Sequence, residues 1–185
     1  MSDEIVISNC SPTLASLKTA NLFGCRFSGR DELLSCMKRY NAKLVPKGLR
    51  MIPLKFENGR ALIYIYRPDR LKRDLNDKCA ERILSERNYP VKNMELCIAT
   101  LRKRLSGSSL FPHEIGLFLG YPPKDVDGFI KHGGKGEKCT GTWKVYGDKN
   151  EAENSFRKYK KCTQAYMTAF RHHHSFERLV VGKNK

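Results

Sequence analysis

The sequence lacks several features that would each identify a class of protein. No segment approaches the ~20 consecutive apolar residues of a membrane-spanning helix, and the N-terminus has no apolar signal-peptide core. The seven cysteines are odd in number and none is spaced as CxxC, which argues against a disulfide framework, a zinc ribbon or an iron–sulfur site. These absences predict a cytoplasmic protein with free thiols and no membrane partner. No residue spacing identifies a cofactor or a metal site.

Acidic residues are also scarce, since 19 Asp and Glu oppose 35 Lys and Arg and leave a formal net charge of +16. A charge of this size is typical of nucleic-acid-binding proteins. Its distribution is uneven, because residues 35–104 carry +11 and residues 131–185 carry +8, whereas residues 105–130 carry −2. We expect most of these cations to be solvated on the outer faces of scaffold helices rather than to form a track for phosphates.

A chain of 185 residues is long enough to bury a core, and we expect one globular domain over residues 1–185. The pattern of elements predicts an α+β fold in which helices pack on a small mixed sheet of about three to five strands. Near the N-terminus, Ile5–Ile7 is predicted to be a short strand. Ser11 as N-cap and Pro12 at the first helical position then predict the start of a helix.

The clearest β signal lies between Leu49 and Tyr66. Asn58-Gly59 separates two extended apolar runs, and this dipeptide readily adopts the positive φ angles that a type I′ hairpin turn requires. Pro53 lacks the N–H that a central strand donates, so its strand is expected at a sheet edge or with a bulge.

Apolar periodicity and proline positions predict the remaining elements. They are a strand at Leu22–Phe27, a helix at Asp31–Tyr40, helices within Pro68–Ser106, helices at Pro112–Leu119 and Pro123–Lys131, a strand at Thr142–Tyr146 and a long helix at Asn150–Arg171.

The first candidate site begins at His113 and Glu114. A proline precedes this pair and an apolar run follows it, which predicts a short helix that presents both side chains at its N-terminal end. The helix dipole there favours a neutral imidazole, which suits a general base. The alternative is that both residues only stabilise the first turn beside an apolar core.

Cys10 is the second candidate, because it precedes the predicted helix start at Ser11. Free backbone N–H groups there would lower the pKa of its thiol, and pairing with His113 would form a thiolate–imidazole dyad. The alternative is a buried thiol that packs as a small hydrophobic group. The predicted catalytic residues are Cys10, His113 and Glu114. The predicted ligand-binding residues are Ser11, Tyr121, Lys144 and Tyr146.

Several segments resemble one known family. They are Phe111–Pro122, Asp125-Val126, Gly128–Ile130, Trp143–Asp148, Lys158–Thr163 and Asn9–Ala15. The family is a set of proteins from clostridia and related anaerobes that is classed as a domain of unknown function, and the resemblance covers nearly the whole chain. It implies a cytosolic bacterial protein and no established activity, substrate or catalytic residue.

Two kinds of function agree with these features. The first is a small-molecule-binding or enzyme-like domain with a thiol or imidazole pocket, whose ligand is a small molecule or an anion. The second is a non-catalytic protein that binds nucleic acid through its basic surface. The same surface would also suit an adaptor that docks acidic proteins.

Overall fold

A computed structural model describes residues 1–107 and 111–182. The chain forms two compact units: the first combines Met1–Asp69 with the chain from Tyr159 onward, and the second is Arg70–Lys158. The described residues contain eight α-helices and five β-strands, which confirms the predicted α+β class. None of these helices has both the length and the apolar character needed to cross a membrane. Folding of the whole chain as one domain stays a prediction.

A three-stranded sheet organises the first unit. Its strands are β1 (Ala20–Arg26), β2 (Arg50–Glu57) and β3 (Arg60–Tyr66), in the spatial order β1-β3-β2. Helix α1 (Asp3–Leu14) packs beside β1, and helix α2 (Arg30–Leu44) packs beside β2. Both strand pairs are antiparallel, so the expectation of a mixed sheet is wrong. Parallel pairing would have required a crossover between neighbouring strands, whereas a two-residue turn joins β2 to β3.

The apolar core of the first unit is built from alternate residues of the sheet and the inner faces of its helices. Ile63 and Ile65 alternate along β3 and are fully buried in this core. The C-terminal part of α8 (Lys149–His173) packs Tyr166 and Phe170 against the same core. The predicted long helix is therefore confirmed, and only one of its faces is apolar.

The predicted hairpin is confirmed. Asn58 and Gly59 join β2 to β3 with φ angles of 48° and 71°, both in the left-handed region. β2 is an edge strand, and its register with β3 shifts between Pro53 and Lys55. Pro53 therefore lies at an edge and beside a bulge, as its missing N–H requires.

The predictions for the N-terminus are wrong, because Ile5–Ile7, Ser11 and Pro12 all lie inside α1. The helix begins instead after Ser2, whose hydroxyl accepts a hydrogen bond from the backbone N–H of the residue three positions on. Acidic residues fill the first turn, where the helix dipole favours them. The β-branched run suggested a strand by propensity alone, but the cap and the packing of α1 outweigh that preference.

The second unit is mainly helical. Its elements are α3 (Pro68–Leu75), α4 (Lys78–Ser85), α5 (Met94–Gly107), α6 (Ile115–Phe118), α7 (Pro123–His132), β4 (Cys139–Thr140), β5 (Lys144–Val145) and the beginning of α8. β4 and β5 pair as a small antiparallel hairpin. Helix α7 packs against α4, α6 and β5, so it connects the helices of this unit to the small hairpin.

Two elements of the second unit are shorter than predicted. The helix expected at Pro112–Leu119 is the single turn α6, so His113 and Glu114 lie in the turn that precedes it. The strand expected at Thr142–Tyr146 is reduced to β5, because its partner β4 offers only two residues for pairing. The other predicted helices and the strand β1 are confirmed, with boundaries that differ by a few residues.

Replacing Gly59 with alanine is expected to lower the free energy of unfolding by about 1 kcal/mol, because an L side chain is strained at a positive φ. No heavy atom lies within 4 Å of the added Cβ, so this cost is conformational rather than steric. Urea denaturation measures it, and Asn58→Gly is the control that keeps the turn geometry accessible. Unchanged stability of Gly59→Ala would contradict the type I′ turn.

Candidate functional site

A pocket of about 530 Å³ lies in the second unit beside α6, α7 and the β4–β5 hairpin. Most of its lining is apolar or aromatic. The lining residues are Phe111, His113, Ile115, Gly116, Leu119, Tyr121, Asp125, Val126, Phe129, Thr140, Gly141, Thr142, Trp143 and Lys144. This size and character match the small-molecule sites of proteins, which are concave, mostly apolar and equipped with a few polar groups.

Two glycines allow the pocket elements to approach each other. A Cβ at Gly116 would lie 2.8 Å from Cγ2 of Val126, so the missing side chain lets α6 pack directly on α7. A Cβ at Gly141 would overlap the ring of Phe156, so the hairpin can lie against the first part of α8. Alanine at either position would push apart two elements that line or support the pocket.

The buried carboxylate of Asp125 fixes the hairpin to α7. Its Oδ2 accepts a hydrogen bond from the indole Nε1–H of Trp143 at 2.6 Å. Its Oδ1 accepts the backbone N–H groups of Tyr146 at 2.8 Å and Gly147 at 2.6 Å. A buried carboxylate is tolerated only when such donors replace its lost hydration, and here three of them do so. Asp125 therefore determines where the tryptophan ring lies.

Aromatic rings form the pocket wall in two groups. Tyr121 stacks on Trp143 with ring centroids 4.9 Å apart and planes 29° apart, and Phe156 meets the same indole edge-on at 4.6 Å. His113 packs edge-on against Phe129 at 4.9 Å. Such pairs hold each other in fixed orientations, so the wall offers preformed flat surfaces to a ligand.

Lys144 and Tyr146 were both predicted to bind a ligand, but only Lys144 is among the residues that line the pocket. Lys144 lines the pocket, but its ammonium group donates to the carbonyl of Gly134 at 2.6 Å and pairs with Glu137 at 2.8 Å. Tyr146 is not among the lining residues. Its ring stacks on His132 at 5.8 Å, and its buried hydroxyl has no hydrogen-bond partner among the described residues.

His113 and Glu114 are adjacent in sequence but lie in different environments. His113 is exposed and lines the pocket, where its imidazole has no hydrogen bond or ion pair with any described residue. Glu114 is buried and accepts hydrogen bonds from the hydroxyl of Tyr89 at 2.9 Å and from Arg104 at 3.3 Å. Burial and the neighbouring carboxylate raise the pKa of Tyr89, which keeps it a donor. Glu114 therefore anchors an internal polar cluster and does not line the pocket.

Cys10 is fully buried in the middle of α1 and not at a helix start. Burial raises the pKa of its thiol far above the ordinary value, an effect that the charge of Lys18 only partly opposes. Lys18 is itself buried, and this burial lowers the pKa of its ammonium group to about 8. The Ser11 hydroxyl is also buried and donates to the carbonyl of Ile7 at 2.6 Å. These environments favour the alternative in which Cys10 packs as a small hydrophobic group.

The structure thus brings three of the predicted residues to one pocket, namely His113, Tyr121 and Lys144. Cys10 and Ser11 belong to the first unit, so the predicted pairing of Cys10 with His113 stays a prediction. Catalysis by Cys10, His113 and Glu114 also stays a prediction, and the environments of Cys10 and Glu114 do not support it.

The sequence-based interpretation missed Asp125 and Phe129, and it did not single out Trp143. The sequence gives only a weak signal for Asp125. An acid in the first turn of a proline-led helix is ordinary, and the one unusual feature is that Asp125 precedes Val126, which packs inward. Nothing in the local sequence indicates that its partners lie 18 to 22 residues further along the chain.

No group of three or more His, Cys, Asp or Glu side chains within residues 1–107 and 111–182 is arranged to hold a metal ion. The run His172–His174 lies at the end of α8, and its three side chains are exposed. All seven cysteines are present as free thiols.

Fold and site together define an α+β protein whose second unit carries a largely apolar, aromatic-walled pocket. A family model described as "Protein of unknown function (DUF3793)" matches residues 6–180, and the chain belongs to this family. The resemblance to a domain of unknown function is thereby confirmed, whereas a clostridial source stays a prediction. No curated protein and no solved structure matches the chain at a significant level.

Replacing Asp125 with asparagine is expected to lower the free energy of unfolding by about 3 kcal/mol, because hydrogen bonds to a charged acceptor are lost and an amide N–H₂ then faces N–H donors. Urea denaturation followed by the fluorescence of the single tryptophan measures the change. Asp127→Asn, on the same helix, removes only ion pairs with Arg82 and Lys131 and should cost less than about 1 kcal/mol. Equal effects of the two substitutions would contradict the role of Asp125 in fixing the hairpin to α7.

Alkylation of the native protein with iodoacetamide at pH 8 is expected to leave Cys10 unmodified, because its buried thiol is protonated and shielded. The partly exposed Cys79 and Cys139 serve as the reactive comparison. Peptide mass spectrometry reports the order of labelling. Modification of Cys10 as fast as that of Cys139 would restore the low-pKa thiol that the sequence suggested.

Proposed function

We propose that the second unit binds a small, planar, uncharged molecule in the pocket beside Trp143, without covalent chemistry by a thiol. The observation that carries this proposal is the preformed wall of fixed aromatic rings around a space of about 530 Å³. Small-molecule sites occupy this range of volume, and flat rings bind planar ligands by offset or edge-to-face stacking.

The polar groups of the pocket indicate which ligands it favours. The Asp125 carboxylate is already engaged by three N–H donors, and the Lys144 ammonium is engaged by Glu137 and a backbone carbonyl. Both charged groups already have partners within the chain, so a charged ligand would have to compete with these partners. Residues 111–158 carry a net charge of only +1, so the surroundings give little attraction for an anion. We therefore favour a neutral ligand over an anionic one.

Orientation of the ligand would depend on groups at the pocket mouth. His113, Thr140 and Thr142 are lining residues that are exposed, so they lie where the pocket opens to solvent. An imidazole can donate or accept one hydrogen bond without carrying a charge. A ligand with an apolar ring system and one polar substituent at the mouth fits this arrangement.

None of the described residues that line the pocket is a cysteine, so the pocket does not support the thiol chemistry that the sequence suggested. The imidazole of His113 lines the pocket, whereas the other charged lining residues that the structure describes, Asp125 and Lys144, are held by partners within the chain. Binding is therefore better supported than catalysis.

N-phenyl-1-naphthylamine is a suitable neutral probe, because it becomes fluorescent in apolar sites and accepts excitation energy from tryptophan. We expect a dissociation constant on the order of 10 μM, which corresponds to about 0.4 kcal/mol for each of its roughly 17 non-hydrogen atoms. Energy transfer from Trp143, the single tryptophan, should accompany binding.

Thr142→Arg should weaken this binding about tenfold or more by filling the mouth of the pocket, whereas Ser85→Arg, at an exposed position on α4, should not. Probe binding without energy transfer, or with equal affinity in both variants, would show that the probe lies elsewhere. Tighter binding of the anionic analogue 1-anilinonaphthalene-8-sulfonate would contradict the preference for a neutral ligand.

A further inference from the structure

The outer face of α8 in the first unit is exposed along its whole length. Its exposed residues repeat at the three- and four-residue spacing of one helix face. They are Lys160, Lys161, Gln164, Ala165, Thr168, Arg171 and His172. The opposite face holds Tyr166 and Phe170 against the core of the first unit, so the helix is anchored on one side and open on the other.

This face carries positive charge that no acid offsets within the helix. No Asp or Glu occurs between Glu153 and Glu177, and Lys160, Lys161 and Arg171 take part in no ion pair with the described residues. Cations on a solvated helix commonly pair with acids three or four residues away, as Lys149 does with Glu153 at the start of α8. The outer face therefore has unneutralised charge directed to solvent.

The order of residues along the face is also specific. The cations lie at its two ends, about 17 Å apart at a rise of about 1.5 Å per residue. Between them lie Gln164, Ala165 and Thr168, which are short or able to form hydrogen bonds. The small side chains of Ala165 and Thr168 let the helix approach a surface closely, while the long cationic side chains at the ends reach around it.

We propose that this α8 face docks into the major groove of duplex DNA. A helix with its side chains is about 10–12 Å wide, close to the width of about 12 Å of that groove. The terminal cations would contact phosphates, and the central Gln164 and Thr168 would face base edges, for which amide and hydroxyl groups are suitable partners. An acidic protein would satisfy the cations but gives no role to the small, polar centre of the face.

The test uses the full chain and a fluorescein-labelled 20-base-pair duplex of random sequence, followed by fluorescence anisotropy. We expect non-specific binding with a dissociation constant on the order of 10 μM at physiological salt, and tighter binding at 50 mM salt. The double variant Lys160→Gln/Lys161→Gln should weaken binding about tenfold at 50 mM salt. It should also reduce the slope of log affinity against log salt by about 2.

The double variant Lys72→Gln/Arg73→Gln is the matched control, because it removes the same charge from exposed positions on α3. Equal losses in the two double variants would show that only net charge matters and would overturn the proposal. Thr168→Glu places an acid at the centre of the face and should also weaken binding about tenfold. Unchanged binding by this variant would exclude insertion of the helix.

Poly-glutamate of matched length and charge serves as competitor. It should displace the duplex poorly, because it offers charge without a groove. Equal competition by poly-glutamate and unlabelled duplex would favour an acidic protein partner and would overturn the assignment to DNA. Circular dichroism confirms that each variant keeps its helical content before binding is measured.

Discussion

The pocket depends on one buried carboxylate. Asp125 lies near the start of α7 and gathers three N–H donors from the β4–β5 hairpin and the residues that follow it. These bonds place the Trp143 indole against Tyr121 and Phe156, and so determine one wall of the pocket. The two-residue strands of the hairpin have too few ladder hydrogen bonds to hold this geometry alone. A charged acceptor in a dry site supplies the missing rigidity, because leaving it unpaired would be costly.

The same reasoning separates structural polar groups from those available to a ligand. Glu114 and Lys144 lie in or beside the candidate site, yet each is held by partners of its own chain. His113 differs, since it is exposed at the pocket mouth without such a partner among the described residues. A pocket with fixed aromatic walls, engaged charges and one free imidazole is suited to recognise the shape of a neutral ring system. Among the lining residues that the structure describes, His113 is the side chain that has the best access to act as an acid or a base.

Features determined by neighbouring residues could be predicted from the sequence, and features determined by distant contacts could not. The Asn58-Gly59 hairpin follows from two positive φ angles, and α8 follows from its apolar periodicity. The α1 prediction failed because the β-branched run Ile5–Ile7 was given more weight than the cap at Ser2. The hydrogen bonds of the Asp125 carboxylate were not predicted, because their donors lie 18 to 22 residues away and are recognisable only in the folded chain. His113 lines the pocket, but it lies in the turn before α6 and not in the first turn of a longer helix, as the sequence predicted.

The central claim is that the Trp143 pocket binds a planar, neutral molecule. Because the chain contains one tryptophan, its ¹⁵N–¹H spectrum has one indole Nε1–H resonance, which reports directly on the bond to Asp125. Titration with 2-naphthol should shift this resonance in a saturable manner and leave the amide of Gly59, in the hairpin of the first unit, unchanged. A stationary indole resonance, while amides outside the pocket shift and saturate, would contradict the account.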